Sequence, residues 1–236
     1  MQITFTEEHI PYVKKWLRDA LPDIKATDRL QALARSLGFK SYEALLFNLN
    51  QNKLQFKLDS TLFIEYLSNR GHLISDRLFA RVIMRTLLEA ILQKETNLTT
   101  HGFGIPNRNG LTGEKYRDEF TKSIFEFYHN DYCDQLQLAL IFLQASNKIK
   151  TINKKRSTYN LKHSAENLSR EYEYNTQLGN YVSNGVFIAG CHIEAFTVKR
   201  VSWNSLNGYI NISNRSVKAL SNSKTIEKLI IIEKHN

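Results

Sequence analysis

With 236 residues, 42% hydrophobic and 23% charged, the chain has the make-up of a folded protein of one large or two small domains. Ten glycines, three prolines and two cysteines exclude collagen-like, linker-dominated and disulfide-scaffold architectures. The formal net charge of +9 directs attention to acidic partners and to where that charge sits.

The periodicity predicts a mostly helical N-terminal part. A first helix is expected over Glu7–Leu21, with Thr6 as its cap and Pro11 in its first turn. A second follows over Thr27–Leu37, stopped by Gly38, and a third over Ser41–Asn50. Leu30, Leu33, Ala34 and Leu37 repeat at three and four and mark a buried face. Lys53–Leu58 alternates weakly as a short strand, and a helix follows over Ser60–Asn69. Ser75–Lys94 is the longest expected helix; residues 96–113, with four glycines and a proline, interrupt it as a loop. Helices resume over Glu114–Tyr128 and Tyr132–Ala145, and residues 147–157 are expected as a basic connection. The last third changes character: helices over Tyr159–Glu171 and Ser183–Phe196, the latter capped by Ser183, then β-like runs Thr197–Trp203 and Gly208–Ser213 around an Asn207-Gly208 turn. A short helix near Arg215–Leu220 and a strand over Ile226–Ile232 end the chain. The expected organisation is a helical domain over 1–147 and a basic α+β domain over 148–236. The longest apolar runs are far too short to span a bilayer, no leader precedes Glu7 and Glu8, and two cysteines, Cys133 and Cys191, suit a reducing cytoplasm.

The charge is concentrated. Residues 1–52 hold 7 basic and 6 acidic side chains, residues 53–147 hold 11 of each, and residues 148–236 hold 14 against 6. Within KIKTINKKRSTYNLK (148–162), Lys148, Lys150, Lys154, Lys155, Arg156 and Lys162 meet no anion. Such a focus attracts polyanions by counterion release; a solvated linker is the plainer account.

Helix, helix and two-stranded ribbon over 158–213 is the element order of a winged helix, which sets one helix on a duplex and a ribbon against its backbone. In that arrangement Lys199 and Arg200 suit phosphates, and Asn184, His192 and Asn204 base edges. The long 172–182 connection and the apolar Val186–Ala189 run fit it poorly. Thr27–Asn48 also has the outline of a helix-turn-helix, but Tyr42, Ala44, Leu45, Leu46 and Phe47 leave its second helix little with which to read bases, so a packed hairpin or docking surface is favoured. Arg77, Arg81 and Arg85 share one face, where they track phosphates or, with Glu89 continuing the row, form an ordinary helix-face contact. His129, Cys133, Cys191 and His192 lack the spacing of a zinc site. The 101–113 glycines lack a phosphate-loop ending, leaving His101 and Arg108 as the loop's notable groups. No GxSxG, HExxH or clustered carboxylate pattern supports a catalytic assignment, and no cofactor or metal is expected.

Ser157, Tyr159, Leu161, Lys162, His163 and Glu166, then Tyr181, Val182, Ser183, Asn184, Gly185, Phe187 and Ile188, form a pattern that resembles uncharacterised proteins carried by bacterial plasmids and prophages. The resemblance covers under a quarter of the chain and implies a mobile-element accessory role without a catalytic residue. Gly190-Cys191 stands where that pattern leads one to expect an alanine-rich stretch, which loosens the expected packing. The combined expectation is a cytoplasmic, non-enzymatic nucleic-acid-binding protein, with DNA expected ahead of RNA. Lys148, Lys150, Lys154, Lys155, Arg156, Lys162, Lys199 and Arg200 contact phosphates, and Tyr159, Trp203 or Asn204 refine the fit. The alternative is a protein-interaction inhibitor acting on a host defence or nucleic-acid-processing complex.

Overall fold

The computed structural model describes residues 1–106, 110–171 and 178–220. Two compact units meet between Gln93 and Lys94, well before the expected boundary at 147/148.

In the first unit, β1 (Gln2–Phe5) opens the chain where no strand was expected. Ile3 and Phe5 are buried in alternation with exposed residues, the period of a half-buried strand. The Thr6 N–H donates to His9 Nδ1 at 3.0 Å, and a 3-10 turn over Glu7–His9 leads into α1 (Ile10–Ala20), with Pro11 in its first turn. α2 (Ala26–Ser36) closes as the Gly38 and Phe39 N–H groups return to the Arg35 and Ala34 carbonyls at 3.0 and 2.9 Å, a Schellman pattern. α3 (Tyr42–Leu49) is capped by Ser41 and packs on α2, giving the helical hairpin favoured above. β2 (Leu54–Lys57) pairs antiparallel with β1, Phe56 opposite Ile3. α4 (Thr61–Ser68) lies against α2, and α5 (Leu78–Leu92) against α1. α5 buries Phe79, Val82, Ile83, Met84, Leu87 and Leu88, and Phe79 stacks on Phe63 at 4.7 Å between ring centroids. Buried Glu89 takes Lys15 Nζ at 2.7 Å, so it does not simply extend the Arg77–Arg81–Arg85 row. The Trp16 ring lies 4.5 Å from Lys15 Nζ and 5.4 Å from the Arg85 guanidinium carbon.

The second unit begins with β3 (Leu98–Thr99) and β4 (Gly102–Phe103), a small antiparallel pair where a plain loop was expected; Arg108 lies outside the described residues. α6 (Gly113–Phe125) passes through a 3-10 turn over Glu126–Tyr128 into α7 (Asn130–Gln144). Then come β5 (Lys148–Ser157), α8 (Thr158–Glu171), α9 (Asn184–Ile193), β6 (Val198–Arg200), β7 (Gly208–Ile212) and α10 (Asn214–Leu220). The strand expected over 226–232 lies outside the described residues.

α7 packs on both α8 and α9, which is why the helices before residue 148 belong with the C-terminal part. Phe142 and Phe187 meet at 6.0 Å across α7 and α9. Gly190 tightens this contact instead of loosening it: a Cβ there would stand 3.1 Å from Leu143 Cδ1 and 3.5 Å from Ala139 Cβ. Ser183 caps α9 as expected, accepting from the Val186 N–H at 3.3 Å. β5, β7 and β6 form an antiparallel sheet in that order, with Asn153 and Val198 both opposite Ile210. The fold is mixed α+β with helices supplying the bulk. No helix among the described residues is long and apolar enough to cross a membrane.

Candidate nucleic-acid interface

The basic segment is not a connection. Lys148–Ser157 is the longest strand among the described residues and flanks β7 on one side, with β6 on the other. Strand spacing of about 4.8 Å sets β5 and β6 about 10 Å apart. The register between β5 and β7 shifts twice, so strict alternation is lost. Asn153 anchors the irregularity. Its Nδ2 donates to the Ile212 carbonyl at 2.9 Å and its Oδ1 accepts from the Lys155 N–H at 3.0 Å. The two consecutive side chains that follow, Lys154 and Lys155, are both exposed, as are Lys148 and Lys150; Arg156 is half-buried. On β6, Lys199 is exposed and stands opposite Tyr209, which in turn stands opposite Ser157. Across an antiparallel ladder opposed residues share a face, so Lys199 projects on the side away from buried Ile210. Among the described residues no carboxylate lies within ion-pair distance of Lys150, Lys154, Lys155, Arg156 or Lys199.

Three expected contacts are otherwise engaged. Lys162 is buried, and its Nζ donates to Glu166 Oε1 at 2.8 Å, so it presents no charge to a ligand. Arg200 spends Nε on the Ser205 carbonyl at 2.6 Å and a terminal nitrogen on the Phe103 carbonyl at 2.7 Å, which fastens the β6–β7 connection to β4. Lys148 lies 5.1 Å above the Phe196 ring, and its charge acts on Glu194. Burial nonetheless holds the Glu194 carboxyl above its ordinary value, against the Gln144 bond and Lys148.

The proposed base-reading helix is internal. α9 is buried from Asn184 to Cys191 and offers no face to a groove. Asn184 donates to the His101 and Leu206 carbonyls at 3.1 and 3.0 Å and accepts from the Thr158 hydroxyl at 2.9 Å. Gly185 presses so closely on β3 that a Cβ would stand 1.7 Å from the Thr99 carbonyl oxygen. His192 Nδ1 lies 3.7 Å from Glu95, and burial lowers its basicity against that charge. Trp203 and Asn204 sit exposed on the β6–β7 connection, Trp203 at 87% of its free surface. Cys133 and Cys191 are buried and form no disulfide, and among the described residues no three His, Cys, Asp or Glu gather as a metal site.

β5 runs straight into α8, whose first turns hold a second group. Glu166 is buried and receives Lys162 on Oε1, the Val182 N–H at 3.0 Å on the same oxygen, and His163 Nδ1 on Oε2 at 2.6 Å. Burial alone would raise the Glu166 carboxyl. The bonds from Lys162, Val182 and His163, with the Lys162 charge, outweigh it and hold the carboxyl below its ordinary value. Lys162 Nζ lies 5.2 and 4.8 Å from the rings of Tyr159 and Tyr181, which keep 48% and 59% of their surface in water. The Tyr159 ring meets His163 edge-on at 4.9 Å. Tyr181 and the exposed Arg215 and Lys218 of α10 were not among the expected contacts, since nothing in their local spacing distinguishes them from ordinary surface groups. Comparison with known proteins returns no matching family model, curated sequence or solved structure.

Proposed function

We propose that the protein binds nucleic acid across the β5–β7–β6 sheet, through phosphates. The observation that carries this reading is Lys150, Lys154, Lys155, Arg156 and Lys199 standing on the two outer strands of one three-stranded sheet with no partner carboxylate among the described residues. Exposed rings of Tyr159, Tyr181 and Trp203 support unpaired bases as part of the ligand, because an aromatic face stacks on any base. That favours single strands as the ligand. In this reading the sheet makes the contact, not a helix laid in a groove. The resemblance over 157–188 supports an accessory role on a plasmid or prophage.

Five phosphate contacts on a single strand give a slope of about −3.5 in log affinity against log salt. Reversing Lys154, Lys155 and Arg156 to Glu removes three of them and flattens the slope by about 2. A salt-titrated mobility shift with unchanged slope and affinity in a folded triple variant would reject the reading.

A further inference from the structure

We infer that His163 is a general base for cleavage of single-stranded RNA, held in register by Glu166. This rests on the nucleic-acid reading above and extends it to a reaction.

The His163 ring bridges interior and solvent: 46% of its side chain is exposed, whereas its partner Glu166 is exposed by only 4%. Glu166 gathers three donors, two of them on Oε1 and the imidazole on Oε2. An ionised carboxylate only accepts, so Nδ1 carries the ring proton and Nε2 carries the lone pair. A base so fixed needs no search for its tautomer. The bond to His163 is dispensable for docking α8 against the chain before α9. The Val182 N–H already makes that link through Oε1.

The surroundings fit one kind of substrate. Tyr159 meets the ring edge-on and Tyr181 lies over Lys162 Nζ, one residue before His163 in sequence, and both rings keep exposed surface for unpaired bases. Arg156 lies two residues before α8, and His163 lies five residues into it, about 8 Å along the helix axis. RNA carries its own nucleophile, the 2′-hydroxyl, beside each phosphate, so a single well-placed base suffices to start the reaction. Nε2 takes the 2′-hydroxyl proton as O2′ bonds to phosphorus. The P–O5′ bond breaks, and the departing O5′ takes a proton from water. The imidazolium returns its proton to the hydroxide left behind. The products are a 2′,3′-cyclic phosphate and a 5′-hydroxyl, with no net consumption of water.

The test uses the full chain, an end-labelled single-stranded RNA of mixed sequence and its all-deoxy counterpart, both in EDTA. The expected result is cyclic-phosphate-ended fragments from RNA alone. His163→Ala and His163→Gln, purified identically, are expected to cut at least about 100-fold more slowly. Rates are compared at saturating protein, so that a change in affinity does not pass for a change in chemistry. RNA that is shifted but left intact by wild type overturns the catalytic inference alone, as does equal cleavage by both variants. Failure to shift either polymer overturns the binding reading with it, and the gel separates these cases. For Glu166, a positioning residue, the readout is the tautomer. Nitrogen-15 NMR of the neutral ring should show Nδ1 protonated and Nε2 bare, and the opposite tautomer removes its role.

Discussion

Lys162 illustrates how one side chain changes meaning when its neighbours are known. In sequence it is the last of six cations in a run without an anion. In the fold it is buried four residues from Glu166, on the same helix face. Removing one partner of a buried pair leaves the other charge stranded, at a cost of about 3–5 kcal/mol. Lys162→Ala should lose about that much in urea unfolding, whereas an exposed Lys154→Ala should lose almost nothing. The pH dependence follows from the direction of the Glu166 shift. Its folded carboxyl titrates below the ordinary value of 4.5, so its contribution is complete above that pH and disappears as pH falls through the lower folded value. Unfolding curves collected from neutral to acid should show wild type shedding this stability below pH 4.5, with a smaller step in Lys162→Ala, which keeps only the Val182 and His163 bonds. The i, i+4 spacing of Lys162 and Glu166 was legible in the sequence. Its burial was not, because that depends on α8 turning this face toward the chain before α9.

At the scale of elements, the helices were the legible part, since apolar spacing at three and four survives any tertiary context. The strands were harder. β5 has four consecutive exposed residues and two register shifts, so its sequence shows neither alternation nor an apolar run. Composition made it a linker; pairing with the buried Gly208–Ile212 strand makes it a sheet member. Asn153 is the residue that reconciles ten residues of β5 with the shorter β7. Asn153→Ala loses both of its backbone bonds, at about 1–3 kcal/mol. The expected outcome is reduced stability in chemical denaturation and weaker RNA binding at fixed salt, because Lys154 and Lys155 lose the turn that sends both outward. Unchanged binding in that variant would show that the turn does not organise the contact. α9 was misjudged in the opposite direction. Its polar Asn184 invited a base-reading role, but the same amide closes three backbone and hydroxyl groups deep in the unit.

For the molecule as a whole, each unit has its own buried core, the usual condition for folding independently. The basic strand, the exposed rings and the His163–Glu166 pair all fall within residues 94–236. A fragment of 94–236 should therefore fold and retain salt-dependent binding, and a fragment of 1–93 should not bind; the reverse partition in mobility shifts would relocate the site. The two tryptophans are divided one to each unit. Trp16 is half-buried beside two cations, and Trp203 stands almost fully in water. Their emission maxima must differ, with the Trp203 band at longer wavelength. The protein thus carries two built-in optical probes, and a single unlabelled sample can show which half melts first and which half a ligand quenches.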